Sequence, residues 1–128
     1  MNKTVLVVED VALNIKVVKT VLTKAGFDVM TAITAEEALE LVAKARPHLI
    51  LADIRLPGMD GLEMTRQLKA NPQTADIPIV ALTAFAMPGD EQKALEAGCD
   101  GYVIKPINVR TFPDLVRGYL KSRTPFSP

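Results

Sequence analysis

Apolar positions along this chain fall into two alternating kinds of segment. Short, nearly uninterrupted apolar runs predict strands that are buried on both faces, and apolar residues recurring every three or four positions predict helices packed by one side. The predicted strands cover residues 4–8, 27–32, 49–52, 77–82 and 101–104. The predicted helices cover 11–25, 34–46, 59–71 and 89–97, with a last one near the C-terminus. Each strand is therefore followed by a helix.

Local signals mark several helix ends. Thr34 followed by Glu37 has the spacing of a capping box, which predicts that a helix begins there. The first helix has an apolar stripe that includes Val11 and is expected to face inward. If the last helix began at Asn108, Pro113 would remove an internal hydrogen bond, so we predict that it begins near Thr111 or Phe112.

Strict alternation of strands and helices predicts an α/β fold with one parallel sheet and helices on both faces. Right-handed crossovers favour the strand order 2-1-3-4-5, the flavodoxin-like (βα)5 arrangement. The chain shows no internal repeat or linker. We predict one domain over residues 1–121 and a short C-terminal tail over residues 122–128.

Composition and charge narrow the classes of partner. The 128 residues carry 15 basic and 15 acidic side chains, so the net charge is zero and a nucleic-acid or direct membrane partner is not expected. The chain begins with a strand-like run, which leaves no room for a signal peptide, and it has no apolar run long enough to span a bilayer. The single cysteine, Cys99, suits a reducing compartment. We expect a cytoplasmic protein.

Carboxylates follow two strands that are neighbours in this sheet order. Glu9 and Asp10 come after the first strand and Asp53 after the third. Taken alone, Asp53 is as well explained as a helix cap or the start of a turn. Three carboxylates at one sheet edge would repel one another, and an all-oxygen site of this kind suits Mg²⁺. Thr83 and Lys105 follow the fourth and fifth strands and are expected at the same edge.

These residues stand in stretches with a recognisable pattern: VED at 8–10, LADIRLPGMDG at 51–61, LTA at 82–84 and YVIKP at 102–106. Together they resemble the receiver domain of two-component response regulators, over residues 3–120. The stretch ALTAFAMPGDE at 81–91 is especially similar to single-domain regulators of the DivK type.

The resemblance implies a phosphoacceptor rather than an enzyme, with at most slow autophosphatase activity. Asp53 would take a phosphoryl group from a phosphohistidine on a sensor histidine kinase or a histidine phosphotransfer protein. Mg²⁺ would be held by Asp10, Asp53 and the main-chain carbonyl of Arg55, with Glu9 acting through water. Lys105 would pair with Asp53 and then with a phosphoryl oxygen.

The resemblance also implies a conformational switch and a slow loss of the phosphoryl group. Thr83 would donate its hydroxyl to the phosphoryl group and vacate space for Tyr102, which would remodel the face of the fourth helix and fifth strand for a downstream protein effector. The Lys105–Pro106 peptide bond is expected to be cis. Arg55 and Phe85, each two residues after a site residue, are expected to hinder the hydrolytic water and slow autodephosphorylation.

Three alternatives compete with a phosphorylated switch. A phosphoaspartyl hydrolase needs a second carboxylate two residues after the nucleophile, where this chain has Arg55. A flavodoxin-type cofactor site needs a phosphate-binding loop after the first strand, where this chain has the acidic Glu9 and Asp10. A receiver that binds partners without phosphorylation stays open.

Overall fold

In the computed structural model, which describes residues 2–84 and 87–121, five strands alternate with five helices. The strands are β1 (Thr4–Val8), β2 (Asp28–Ala32), β3 (Leu49–Asp53), β4 (Ile79–Thr83) and β5 (Gly101–Ile104). The helices are α1 (Ala12–Lys24), α2 (Ala35–Lys44), α3 (Gly61–Ala70), α4 (Asp90–Ala97) and α5 (Phe112–Lys121). The predicted alternation is confirmed.

All strand pairs in the sheet are parallel, in the order β2-β1-β3-β4-β5. Val8, at the end of β1, lies opposite Ala32 on one side and Ala52 on the other. The carboxyl ends of β1 and β3 are therefore adjacent, so that residues following these two strands meet at one edge. The flavodoxin-like order predicted from the sequence is confirmed.

Successive residues of the central strands face opposite sides, which gives the sheet two apolar layers. Leu6, Ile50 and Ile79 pack with buried residues of α2, α3 and α4 on one face. Leu49 and Leu51 pack with buried residues of α1 and α5 on the other. β3 is buried along its whole length. The strand that ends at Asp53 is thus held from both sides.

Most predicted element ends lie within two residues of the observed ones. α5 begins at Phe112, with Pro113 in its first turn, as expected from the cost of an internal proline. The Lys105–Pro106 peptide bond is cis, as expected. β4 begins at Ile79 rather than at residue 77, just after Pro78, which has no N–H to donate.

Two local expectations need correction. Val11 was expected to face inward on the first helix, but it is the N-cap residue of α1 and is 47% exposed. Its backbone is extended, so its side chain does not follow the helical stripe. The hydroxyl oxygen of Thr34 accepts the N–H of Glu37 at 3.0 Å, as predicted, but the carboxylate of Glu37 accepts the N–H of Ile33 rather than that of Thr34.

Two predictions lie outside the described residues. They are the C-terminal tail at residues 122–128 and the placement of Phe85 beside the site.

Candidate functional site

Asp53 is the last residue of β3 and only 7% exposed. Its Oδ1 accepts the backbone N–H of Arg55 at 2.9 Å, and its Oδ2 accepts a hydrogen bond from Lys105 Nζ at 3.1 Å. Both carboxylate oxygens are therefore held in place at the carboxyl edge of the sheet. The pairing of Lys105 with Asp53, which the resemblance implied, is present.

The start of α3 packs directly against the end of β3. The N–H of Gly61 donates to the carbonyl of Ile54 at 3.2 Å. A methyl group on Gly61 would lie 2.3 Å from the carbonyl oxygen of Asp53, which is closer than atoms can pack. Glycine is thus required here by close approach, whereas the sequence indicated only a turn.

Glu9 is a buried acid, 1% exposed, that directly follows β1. Its Oε1 accepts a hydrogen bond from Lys105 Nζ at 2.6 Å, and its Oε2 accepts the N–H of Val11 at 3.2 Å. Burial raises the pKa of Glu9, the hydrogen bond from Lys105 opposes that rise, and the nearby charge of Asp53 adds to it. The direct contact between Glu9 and Lys105 was not predicted from the sequence.

Lys105 joins the two buried carboxylates, and its own side chain is only 10% exposed. Burial by itself would lower the pKa of Lys105, but the hydrogen bonds to Glu9 and Asp53 outweigh it and raise that pKa above its ordinary value. The N–H of Lys105 donates to the carbonyl of Thr83 at 2.7 Å. The ammonium group therefore stays charged and is positioned by the end of β4.

Glu9, Asp10 and Asp53 form an acidic cluster with one exposed member, Asp10. One carboxylate oxygen from each lies within 4.8 Å of the others. Ligand oxygens lie about 2.1 Å from a Mg²⁺ ion, so three carboxylates this close together could hold one such ion between them, directly or through a bridging water. The donors are all oxygen, as Mg²⁺ prefers.

The two residues predicted to form the switch lie on neighbouring strands. Thr83, the last residue of β4, is fully buried. Tyr102 is half-buried on β5, and within the described ranges its hydroxyl oxygen is buried with no hydrogen-bond partner. Burial raises the pKa of Tyr102, and the negative charges of Asp90 and Glu91 add to this effect.

Asp90 is the residue that sequence reasoning missed. It is the first residue of α4 and only 9% exposed. Its Oδ2 accepts the N–H of Met87 at 3.0 Å and lies 3.4 Å from Nη2 of Arg55. In the sequence, an acid after Pro88 and Gly89 signals only the start of a helix, so nothing there indicates that Arg55 contacts it.

This arrangement can be compared with known proteins. Residues 5–117 match the family model described as the response regulator receiver domain. The chain belongs to this family. It is 42% identical over 120 residues to the polar-differentiation response regulator DivK of Brucella anthropi, covering 94% of this chain and 98% of DivK.

Solved receiver structures have the same fold. The receiver domain of the sensor histidine kinase PA1611 from Pseudomonas aeruginosa, described with a magnesium ion coordinated in its active-site cleft, superposes with a TM-score of 0.87 at 30% identity over 94% of this chain and 99% of that one. A CheY-like receiver domain protein from Methanospirillum hungatei superposes with a TM-score of 0.89 at 28% identity over 96% and 97% of the two chains.

The family membership predicted from the motifs is confirmed, and the chain is a DivK-like receiver. Its acidic cluster is consistent with Mg²⁺-dependent phosphorylation of an aspartate. Membership of the receiver family argues against the two alternatives of a phosphoaspartyl hydrolase and a flavodoxin-type cofactor-binding protein. Within the described ranges, no helix combines the length and apolar character that crossing a bilayer requires.

Proposed function

We propose that this receiver is a phosphoacceptor switch in which Asp53 takes a phosphoryl group from a phosphohistidine on a sensor histidine kinase or a histidine phosphotransfer protein. The observation that carries the proposal is the placement of Asp53, a carboxylate contacted by a buried ammonium group at the edge of an acidic cluster. We assign the receiver to residues 1–121.

The transfer is a displacement at phosphorus. An oxygen of the Asp53 carboxylate forms the new P–O bond while the P–N bond to the donor imidazole breaks. The electron pair of that bond returns to the imidazole nitrogen, and the product on this chain is an acyl phosphate. The chain contributes position and charge rather than proton transfer, because Asp53 attacks as the carboxylate.

Neutralising the incoming charge is the main chemical task of the site. Lys105 Nζ, which contacts Asp53, is placed to pair with a phosphoryl oxygen, and Glu9 keeps that ammonium group oriented. Asp10, Asp53 and the main-chain carbonyl of Arg55 would hold Mg²⁺, with Glu9 acting through water. The bound ion would neutralise phosphoryl charge and align the donor.

After phosphorylation, a phosphoryl group with a charge of roughly −1.5 to −2 replaces the single negative charge of the Asp53 carboxylate at the edge of the sheet. We propose that the hydroxyl of Thr83 then turns towards the phosphoryl group and that Tyr102 moves into the space it leaves. The buried hydroxyl of Tyr102, which has no hydrogen-bond partner among residues 2–84 and 87–121, supports this role, since an unsatisfied polar group favours an alternative arrangement.

The effector is proposed to be another protein that docks on α4, β5 and α5. Large apolar side chains are exposed on this face: Leu95 at 50%, Ile104 at 55% and Leu115 at 39%. We also propose a cytoplasmic location, with which the lone buried Cys99 is compatible. Slow loss of the phosphoryl group remains a prediction, based on the long cation of Arg55 beside Asp53.

The test is incubation with Mg²⁺ and a small-molecule phosphodonor, followed by intact-mass measurement. The unsubstituted chain should gain the mass of one phosphoryl group, and Asp53→Asn should gain none. Asp10→Asn should react more slowly because it removes a metal ligand, whereas Asp114→Asn, at an exposed position on α5, should react normally. No adduct on the unsubstituted chain with any donor would favour a receiver that works without phosphorylation.

A further inference from the structure

Arg55 connects the phosphoacceptor loop to the start of α4. Its backbone N–H donates to Asp53 Oδ1 at 2.9 Å, while its guanidinium Nη2 lies 3.4 Å from Asp90 Oδ2. The Arg55 side chain is 53% exposed and that of Asp90 is 12% exposed. The same Asp90 oxygen accepts the N–H of Met87, so one carboxylate oxygen joins Arg55 to the segment that leads into α4.

We propose that the guanidinium of Arg55 exchanges the carboxylate of Asp90 for the phosphoryl group on Asp53, so that phosphorylation uncouples the β3–α3 loop from the N-terminus of α4. The inference rests on the proposed phosphoacceptor role of Asp53. It assigns to Arg55 a side-chain role in addition to its main-chain carbonyl.

The two anions compete unequally for this cation. The contact with Asp90 is long, at 3.4 Å, and the exposed arginine side chain is screened by solvent. A phosphoryl group offers three oxygens and about twice the charge, and it accepts two parallel hydrogen bonds from a guanidinium group. Arginine stays protonated throughout, so only its position has to change.

The loss of one contact can change the position of α4, because little apolar surface holds this helix in place. Its buried residues are Asp90, Ala94 and Ala97, so the only apolar side chains it buries fully are alanine methyl groups. Small buried area means a small hydrophobic contribution to holding the helix in place. The pair between Arg55 and Asp90 is a direct contact between the N-terminus of this helix and the β3–α3 loop, and it acts on a helix with little apolar burial.

The test is a double-mutant cycle on the affinity for beryllofluoride, a phosphoryl stand-in, measured by calorimetry in Mg²⁺ with the whole chain. Asp90→Asn removes the ion pair with Arg55 but keeps an oxygen that can accept the N–H of Met87. It should tighten binding roughly two- to fivefold, the range of an exposed pair. Arg55→Gln should weaken binding, and adding Asp90→Asn to it should change nothing further.

Glu91→Gln is the matched control, because it removes the same charge one residue further along α4. Its effect measures the general influence of a less negative surface, and it should be equal in the unsubstituted chain and in the Arg55→Gln variant. Thermal unfolding followed by circular dichroism checks that each variant folds. If Asp90→Asn fails to fold, Arg55→Lys is measured instead. Because lysine lacks the planar fork of a guanidinium group, the Arg55→Lys variant should bind beryllofluoride more weakly than the unsubstituted chain.

Different results overturn different parts of the proposal. If Asp90→Asn changes the beryllofluoride affinity by the same factor with and without Arg55→Gln, or by the same factor as Glu91→Gln, the exchange by Arg55 is overturned. Either result leaves the phosphoacceptor role of Asp53 standing. Arg55→Lys binding as tightly as the unsubstituted chain would overturn the exchange equally. If the unsubstituted chain does not bind beryllofluoride at all, the phosphoacceptor role fails and the exchange fails with it.

Discussion

Replacing Lys105 with methionine tests the central electrostatic feature of the site. Methionine keeps an unbranched side chain of similar length but removes the ammonium group that contacts Glu9 and Asp53. Two carboxylates that are 1% and 10% exposed then face each other without their cation. Lys105→Met should therefore lower the free energy of unfolding when divalent ions are absent.

The size of the effect follows from the burial of the partners. Removing one member of a buried ion pair costs about 3–5 kcal/mol, and the lower end applies because Asp53 keeps its hydrogen bond from the Arg55 N–H and Glu9 keeps that from Val11. For a chain of 128 residues, about 3 kcal/mol corresponds to a fall in Tm of roughly 10 °C. Glu9→Gln in the same background should recover part of this loss by removing one of the two charges.

The assay is urea unfolding in EDTA and again in Mg²⁺. Mg²⁺ should stabilise Lys105→Met more than it stabilises the unsubstituted chain, since the ion supplies the missing positive charge. Lys16→Met on the exposed side of α1 is the control and should change stability by less than about 0.5 kcal/mol. A loss below about 1 kcal/mol in EDTA, or no recovery with Glu9→Gln, would refute the view that Lys105 neutralises these two carboxylates.

Two further predictions follow from the same site. Gly61→Ala should destabilise the chain by about 1–3 kcal/mol and slow phosphorylation, because its methyl group would lie 2.3 Å from the Asp53 carbonyl oxygen. The control is Gly118→Ala, where nothing lies within 4 Å of the added group, and it should be neutral or stabilising in urea unfolding. Equal changes in stability for the two variants would contradict the close approach at Gly61. The pKa of Lys105 is raised in the folded chain, so its contribution to stability is fully present below its ordinary pKa of 10.5 and is lost as the pH rises through the folded value. The difference in unfolding free energy between the unsubstituted chain and Lys105→Met should therefore shrink above about pH 10.5 in urea unfolding. A difference that stays constant with pH would contradict a stabilising role for the charge of Lys105.

The fold was predictable because each local signal in the sequence agreed with the next. Buried strands such as Leu49–Asp53 are apolar runs, and helix starts such as Thr34 carry their own caps. Alternation then left few sheet orders, and the order determined which strand ends meet. The convergence of Glu9, Asp10 and Asp53 was predictable for this reason, since it depends on backbone topology alone.

Contacts between side chains from distant elements were less predictable. The hydrogen bond from Lys105 to Glu9 joins residues 96 positions apart in the sequence. Its geometry depends on side-chain conformations that no local pattern encodes. The exposure of Val11 was missed because periodicity does not show where a helix begins to within one residue.

By itself, then, the sequence determined the strand order, the edge at which the acidic residues gather and the family to which they belong, because hydrophobic period and motif spacing are properties of the chain. Only the tertiary structure decided that Gly61 must lack a side chain, that one ammonium group serves two buried carboxylates, and that Arg55 contacts Asp90. These features depend on distances of about 2–4 Å across elements, and packing sets such distances after the backbone topology is formed.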